Sequence, residues 1–197
     1  MILKVIALVF VGLEMIEILK DHFYKVSEIT RTVDFNTIND ILSLIIEARK
    51  KNKTIFVFGN GGSAATALHM TTDFSKTVEI TGIPMKVISL NANQSEITAI
   101  ANDYGYEKVF SKQLENLISN EDLVIGISAS GNSPNCIEAF NVARSLGAKT
   151  IGVLGFDGGV MKKLSDKCFH IEINDYFYVE DIHMIFSHSL TRAIRNL

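Results

Sequence analysis

The chain has 197 residues, enough to bury one full hydrophobic core, and we expect a single main domain. Its 19 Lys and Arg against 22 Asp and Glu give a net charge of −3, which excludes a global electrostatic attraction to nucleic acid. Hydrophobic residues make up 47% of the chain, an excess that favours contacts between copies of the protein.

The N-terminal part of the chain is typical of helices. Residues 2–13 are mostly apolar, but no small-residue cleavage site follows and the stretch is too short to span a bilayer, so we expect no membrane partner. Apolar residues then recur at helical intervals through residues 14–31 and 34–50. We therefore predict a helical segment over residues 1–52, which packs both on the following domain and between subunits, ahead of a ligand-binding domain over residues 53–197.

Short apolar runs alternate with helical segments from there to the end. We predict strands near residues 54–58, 85–90, 122–127, 149–154 and 168–173, and helices near residues 63–75, 94–101, 107–118, 134–146, 159–164 and 179–195. This alternation predicts an α/β fold whose parallel sheet is covered on both faces. Ligands of such sheets bind beyond the carboxyl ends of the strands.

Two predicted strands end in loops rich in glycine and serine, GNGGS at residues 59–63 and SASGNS at residues 128–133. Each loop precedes a helix, whose first N–H groups and dipole favour an anion such as phosphate. The glycine spacing fits neither a dinucleotide site nor a P-loop, so we expect no nucleotide cofactor. The alternative is that the glycines only form turns and that Ser63 and Ser133 only cap helices.

Two further patterns concern metals and redox state. Cys136 and Cys168 lack the spacing of a zinc site or a disulfide framework, which favours buried free thiols in a reducing cytoplasm. His69 and Asp73 are four residues apart, so one helix face can present both to a divalent ion.

The motifs together resemble the sugar isomerase (SIS) domain, and within it the phosphoheptose isomerases. The similarity runs from about residue 16 to the end of the chain. It rests on GNGGS with His69 and Asp73 beyond it, ANDYGY at residues 101–106, SASGNS, GFDGG at residues 155–159 and EDIHMIFSH at residues 180–188. The resemblance implies a flavodoxin-like three-layer sandwich and a homotetramer with active sites between subunits, often with a zinc ion.

The resemblance also implies roles for single residues. It matches Asp73 and His188 to the catalytic pair, and His69, Asp73, Glu180 and His188 to metal-ligand positions. The substrate-binding positions that it implies are Asn60, Gly61, Gly62, Ser63, Asn102, Asp103, Ser128, Ala129, Ser130, Ser133 and Glu180.

Two of these positions depart from the family pattern. Asp73 stands where the family has a glutamate, and Glu180 where it has a glutamine. Because catalysis is sensitive to misplacement on the order of 1 Å, the shorter Asp73 favours either a compensating backbone or a smaller substrate. Glu180 and His188 are separated by about 12 Å of helix rise, so a four-ligand metal site needs an irregular helix start or ligands from different subunits.

The leading hypothesis is a ketose–aldose phosphate isomerase that converts sedoheptulose 7-phosphate to D-glycero-D-manno-heptose 7-phosphate through an enediol, for heptose biosynthesis. A carboxylate and an imidazole suffice for the two proton transfers. The alternative is a non-catalytic SIS protein that binds a sugar phosphate or a protein partner, as the replication-initiator-associating relatives do. The presence of both Asp73 and His188 favours the enzyme.

Overall fold

The structure, a computed structural model, describes residues 2–76 and 84–197, with side chains from residue 14 onward in those ranges. The chain divides into two compact units, Met1–Val33 and Asp34–Leu197. The helices are α1 (Ile2–Thr30), α2 (Phe35–Lys50), α3 (Gly62–Lys76), α4 (Gln94–Tyr104), α5 (Ser111–Leu117), α6 (Pro134–Ser145), α7 (Gly159–Leu164) and α8 (Tyr176–Arg195). The strands are β1 (Thr54–Gly59), β2 (Lys86–Ser89), β3 (Leu123–Ser128), β4 (Lys149–Leu154) and β5 (Lys167–His170).

The first unit is built on α1, which includes the helix predicted from residue 14. Large apolar side chains on this helix are exposed to solvent: Met15, Ile16, Ile18, Leu19, Phe23 and Tyr24. Within the described ranges, no helix combines the length and apolar character that a membrane span requires.

The second unit contains a five-stranded parallel sheet in the order β2-β1-β3-β4-β5. The central strands are buried along almost their whole length, as their runs of Val, Ile and Phe predict for a parallel sheet covered on both faces. The predicted α/β fold is therefore confirmed.

The second helix belongs to the α/β unit, so the division falls after Val33 rather than after residue 52. Ile41 and Ile45 are fully buried, and α2 packs on β1 and β5. The side chain of Asp34 accepts a hydrogen bond from the backbone N–H of Asn36 and caps the start of the helix. This helix completes the core of the second unit, because its apolar face is needed to cover the sheet.

Three of the helices predicted after residue 53 have different limits in the structure. The helix predicted over residues 94–101 continues to Tyr104. The segment predicted over residues 107–118 is a 3₁₀ turn, Tyr106–Lys108, followed by the short α5. The last helix begins at Tyr176 rather than near residue 179, because the Asp175 carboxylate accepts hydrogen bonds from the N–H groups of the first turn.

His183 lies on the buried face of α8 and is completely inaccessible to solvent. Neither of its ring nitrogens makes a hydrogen bond of ordinary geometry to the described residues, and its ring stands against that of Phe169. Burial lowers the pKa of His183 from 6.5 to about 4, although the Leu154 carbonyl opposes the shift. The folded protein therefore keeps this imidazole neutral until the pH falls to about 4.

We predict that His183→Leu reduces the loss of stability in acid. Between pH 6.5 and 4 the unfolded chain binds more protons at this residue than the folded one, so stability falls as the pH falls. The wild type should lose about 2 kcal/mol from this group between pH 7 and pH 5, and the variant should lose none of it. Urea unfolding at both pH values measures the difference, and parallel losses in both proteins would contradict this role.

Candidate active site

The two glycine- and serine-rich loops meet at one end of the sheet. β1 and β3 are adjacent, with Gly59 paired to Ile127, and each strand ends where its loop begins. β2, which follows β1 in the chain, lies on one side of β1, and β3 lies on its other side. The strand order therefore reverses between β1 and β3, and parallel sheets bind ligands at such a switch point. A cavity there is lined by Asn60, Ser63, Ile127, Ser128, Ala129, Ser130, Ser133, Tyr176 and Glu180.

The first loop, residues 59–63, holds its backbone close to β3. A Cβ atom on Gly59 would lie 2.7 Å from the carbonyl oxygen of Ile127, so a larger residue does not fit. Gly61 has a φ of +54°, in the left-handed region that glycine adopts without strain. The loop passes directly into α3. The N–H groups of Ala64 and Ala65 donate to the loop carbonyls of Asn60 and Gly61, so those that precede them, of Gly62 and Ser63, can bind an anion.

The second loop, residues 128–133, gathers three serine hydroxyls. The hydroxyl oxygens of Ser128 and Ser133 are 3.3 Å apart, and Ser133 makes no side-chain cap hydrogen bond although it precedes α6. Ser128 and Ser130 each accept a hydrogen bond from a backbone N–H of the same loop. Ser130 thereby keeps its hydroxyl proton for another acceptor, and of Ser128 and Ser133 the one that accepts in their mutual hydrogen bond keeps its own. Ser133 therefore occupies the N-cap position of α6 without capping it through its hydroxyl.

The GFDGG segment, residues 155–159, supports the second loop from behind. The N–H of Gly155 donates to the carbonyl of Ala129 at 2.9 Å. Gly131, with a φ of +64°, lies against the carbonyl of Gly158 so closely that no Cβ atom fits between them. This motif therefore shapes the serine loop and does not itself line the cavity.

Glu180 brings a carboxylate into a cavity whose other described lining residues are uncharged. Its carboxylate lies directly over Gly62 at the start of α3, where any side chain on residue 62 would collide with it. The N-terminal end of a helix stabilises a negative charge. A carboxylate in this position can accept hydrogen bonds from the hydroxyl groups of a ligand.

His69, Asp73 and His188 form a compact cluster between α3 and α8, which pack together. The Nε2 atoms of His69 and His188 are 3.0 Å apart. Asp73 Oδ2 lies 3.6 Å from His69 Nε2 and 3.9 Å from His188 Nε2. Ligand atoms on a tetrahedral zinc ion are about 3.3 Å apart. The three side chains, with ligand atoms all within 4.8 Å of one another, therefore fit one divalent ion, and Glu180 is not part of this group.

Four of the predicted substrate residues do not line the cavity. Gly61 and Gly62 belong to the first loop, where they present backbone. Asn102 and Asp103 lie in the last turn of α4, and the Asn102 amide donates to the Asp103 carboxylate at 2.8 Å. In the same ANDYGY motif, the hydroxyl of Tyr106 reaches the first loop and donates to Oδ1 of Asn60 at 2.9 Å.

Comparison with known proteins agrees with the motif pattern. Residues 21–155 match the family model of the SIS domain. The chain is 42% identical over 153 residues to a phosphoheptose isomerase of Aliarcobacter butzleri, covering 78% of this chain and 81% of that protein. It is also 42% identical over 155 residues to a phosphoheptose isomerase of Trichlorobacter lovleyi, covering 79% of each.

A solved structure shows the same fold. A phosphoheptose isomerase from Neisseria gonorrhoeae superposes with a TM-score of 0.86 at 28% identity, covering 93% of this chain and 100% of that one. The resemblance stated from the motifs is thereby confirmed, together with the predicted SIS fold.

We predict that Ser63→Ala combined with Ser130→Ala weakens binding of sedoheptulose 7-phosphate while the fold survives. Each hydroxyl bonded to a ligand contributes about 0.5–1.5 kcal/mol, so the loss of two should raise the dissociation constant about 5- to 160-fold. Titration calorimetry measures the change. Ser75→Ala with Ser145→Ala is the matched control, since these exposed serines bond only to carbonyls of their own helices. Equal affinity of the two double variants for the sugar phosphate would contradict the prediction that the two loops bind phosphate.

Proposed function

We propose that this chain, which belongs to the SIS-domain family and within it to the phosphoheptose isomerases, interconverts a ketose phosphate and an aldose phosphate. The substrate we propose is sedoheptulose 7-phosphate and the product D-glycero-D-manno-heptose 7-phosphate, for heptose biosynthesis. One observation carries the proposal: α3 and α8 contribute both to the serine-lined cavity, through Ser63 and Glu180, and to the cluster of His69, Asp73 and His188.

The phosphate group occupies the cavity between the two loops. The hydroxyls of Ser63, Ser128, Ser130 and Ser133 and the first N–H groups of α3 bind its oxygens. Neutral donors suit a substrate that has to leave after each turnover, because a lysine or arginine would hold a dianion more strongly. The sugar extends from the phosphate toward Glu180, whose carboxylate accepts hydrogen bonds from the sugar hydroxyl groups.

Asp73 and His188 transfer the protons. A ketose becomes an aldose when a proton leaves C1 and another is added at C2, while a second proton moves from the C1 oxygen to the C2 oxygen. Asp73 takes the proton from C1 to give the enediol and then returns a proton to C2, and His188 moves the second proton from the C1 oxygen to the C2 oxygen. The Asp73 side chain is 19% exposed whereas that of His188 is 54% exposed, which suits a sheltered base beside an accessible acid.

Zinc is the metal that the cluster suits. His69, Asp73 and His188 would hold it, and a bound divalent ion would supply a Lewis acid for the sugar oxygens. Because Nε2 of His188 faces the other two side chains, His188 would then transfer its proton through Nδ1. The carboxylate of Asp73 has a second oxygen for the substrate proton. Glu180, whose carboxylate lies over Gly62, serves as a substrate-binding residue in this proposal.

The proposal further holds that the protein is a homotetramer and acts in the cytoplasm. The exposed apolar side chains of α1 require a partner surface in water, and further copies of the chain provide one. Both cysteines are free thiols, and burial raises the pKa of Cys136 to about 12 and that of Cys168 to about 11. Such unreactive thiols suit a reducing compartment. A non-catalytic SIS protein is not favoured, because binding alone needs no carboxylate and imidazole pair.

We predict that His188→Gln and Asp73→Asn each remove most of the proton exchange between solvent and bound sedoheptulose 7-phosphate. Loss of a general acid or base costs about 10²- to 10⁴-fold in rate, while the phosphate contacts persist. Deuterium incorporation followed by NMR measures exchange, and calorimetry measures binding. Asp73→Glu, which restores the family residue, is the matched control and should retain turnover. Exchange at the wild-type rate in His188→Gln would refute the proposed mechanism.

We predict that Leu19→Glu combined with Phe23→Glu lowers the molecular mass in solution from that of four chains. The two side chains are 61% and 76% exposed and lie one helical turn apart, so both charges would enter the proposed interface. Light scattering measures the mass, and Lys20→Glu is the control on the same helix. A wild-type protein that is monomeric would contradict the interface and any site shared between subunits.

A further inference from the structure

The amide of Asn60 is fully engaged within the protein. Its Nδ2 donates to Oδ1 of Asn135 at 2.8 Å, and Nδ2 of Asn135 donates back to Oδ1 of Asn60 at 2.9 Å. The hydroxyl of Tyr106 donates to the same Asn60 oxygen at 2.9 Å. An amide oxygen has two lone pairs, so Asn60 keeps no acceptor for a ligand.

These hydrogen bonds join three segments at one residue. Asn60 lies in the first loop, Asn135 in the first turn of α6 beyond the serine loop, and Tyr106 in the 3₁₀ turn after α4. Asn135 is 2% exposed, so its paired amide has no water to replace a lost partner. Tyr106 is 57% exposed, and its hydroxyl can be removed with little effect on the core.

Asn60 also determines where α3 begins. Its carbonyl accepts the N–H of Ala64, and the carbonyl of Gly61 accepts the N–H groups of Ala64 and Ala65. An Asn60 side chain that is held in place therefore also holds the first turn of α3 in place. The N–H groups at this end of the helix have no acceptor within the helix itself.

We propose that Tyr106 and Asn135 are positioning residues of the sugar-phosphate site. They hold the Asn60 amide away from the ligand and keep the first loop in the shape that directs its N–H groups to the phosphate. Asn60 then contributes through its backbone and not through its side chain. This inference rests on the proposed function for its ligand, sedoheptulose 7-phosphate.

The first test is a double-mutant cycle with this ligand. Tyr106→Phe should raise its dissociation constant and KM about two- to tenfold, as expected for one lost hydrogen bond, and should change kcat much less. Tyr104→Phe, two residues away and 60% exposed, is the matched control and should change neither. In an Asn60→Ala background Tyr106→Phe should have no further effect, because Tyr106 acts through Asn60.

An equal effect of Tyr106→Phe in both backgrounds would mean that its hydroxyl contacts the ligand, and the inference would be wrong. Amide hydrogen exchange at Ala64 and Ala65 provides a second measurement on the ligand-free protein. Exchange should be faster in Tyr106→Phe than in Tyr104→Phe, and equal rates would overturn the inference. A wild type that binds no sedoheptulose 7-phosphate would refute the proposed function, while the exchange rates would still decide whether Tyr106 positions the loop.

Discussion

The direct pairing of β1 with β3 is the constraint on which the site depends. Gly59 pairs with Ile127 at the ends of these strands, and the contact between them is too close for a Cβ atom on Gly59. Two loops that are far apart in the chain therefore begin side by side. A substitution that pushed these strands apart would separate the serine hydroxyls from the first turn of α3.

The donors that line the cavity are neutral groups held in place by other neutral groups, and Glu180 is the charged side chain among the described lining residues. The loop after β4 supports the serine loop through backbone contacts. The side-chain amide of Asn91 donates to the carbonyl of Gly59 and accepts from its N–H. Oriented dipoles of this kind stabilise an anion without a fixed positive charge, because the groups are already aligned before the ligand arrives. The proposed chemistry at Asp73 and His188 benefits from the same rigid support, since both project from helices.

The sequence predicted those features that depend on neighbouring residues. Apolar runs ending in Gly and Ser identified β1 and β3 with their loops, and Pro134 begins its helix as expected. The hydrogen bonds of the Asn60 side chain join it to Tyr106, which is 46 positions away in the chain, and to Asn135, which is 75 positions away. No periodic pattern in the sequence encodes such pairs. The start of α8 was missed because one carboxylate, that of Asp175, decides it. The position of Glu180 over Gly62 depends on the packing of α8 against α3, which no local pattern encodes.

Deuterium incorporation from D₂O into sedoheptulose 7-phosphate by the wild-type protein tests the central claim most directly. Unphosphorylated sedoheptulose provides the comparison, because it offers the same carbons without the group that the two loops bind. We predict carbon-bound deuterium in the phosphorylated sugar at a rate at least about 100-fold above that in the free sugar, since several charge-assisted hydrogen bonds depend on the phosphate. Equal rates for the two sugars, or no exchange into the phosphorylated one, would contradict the account.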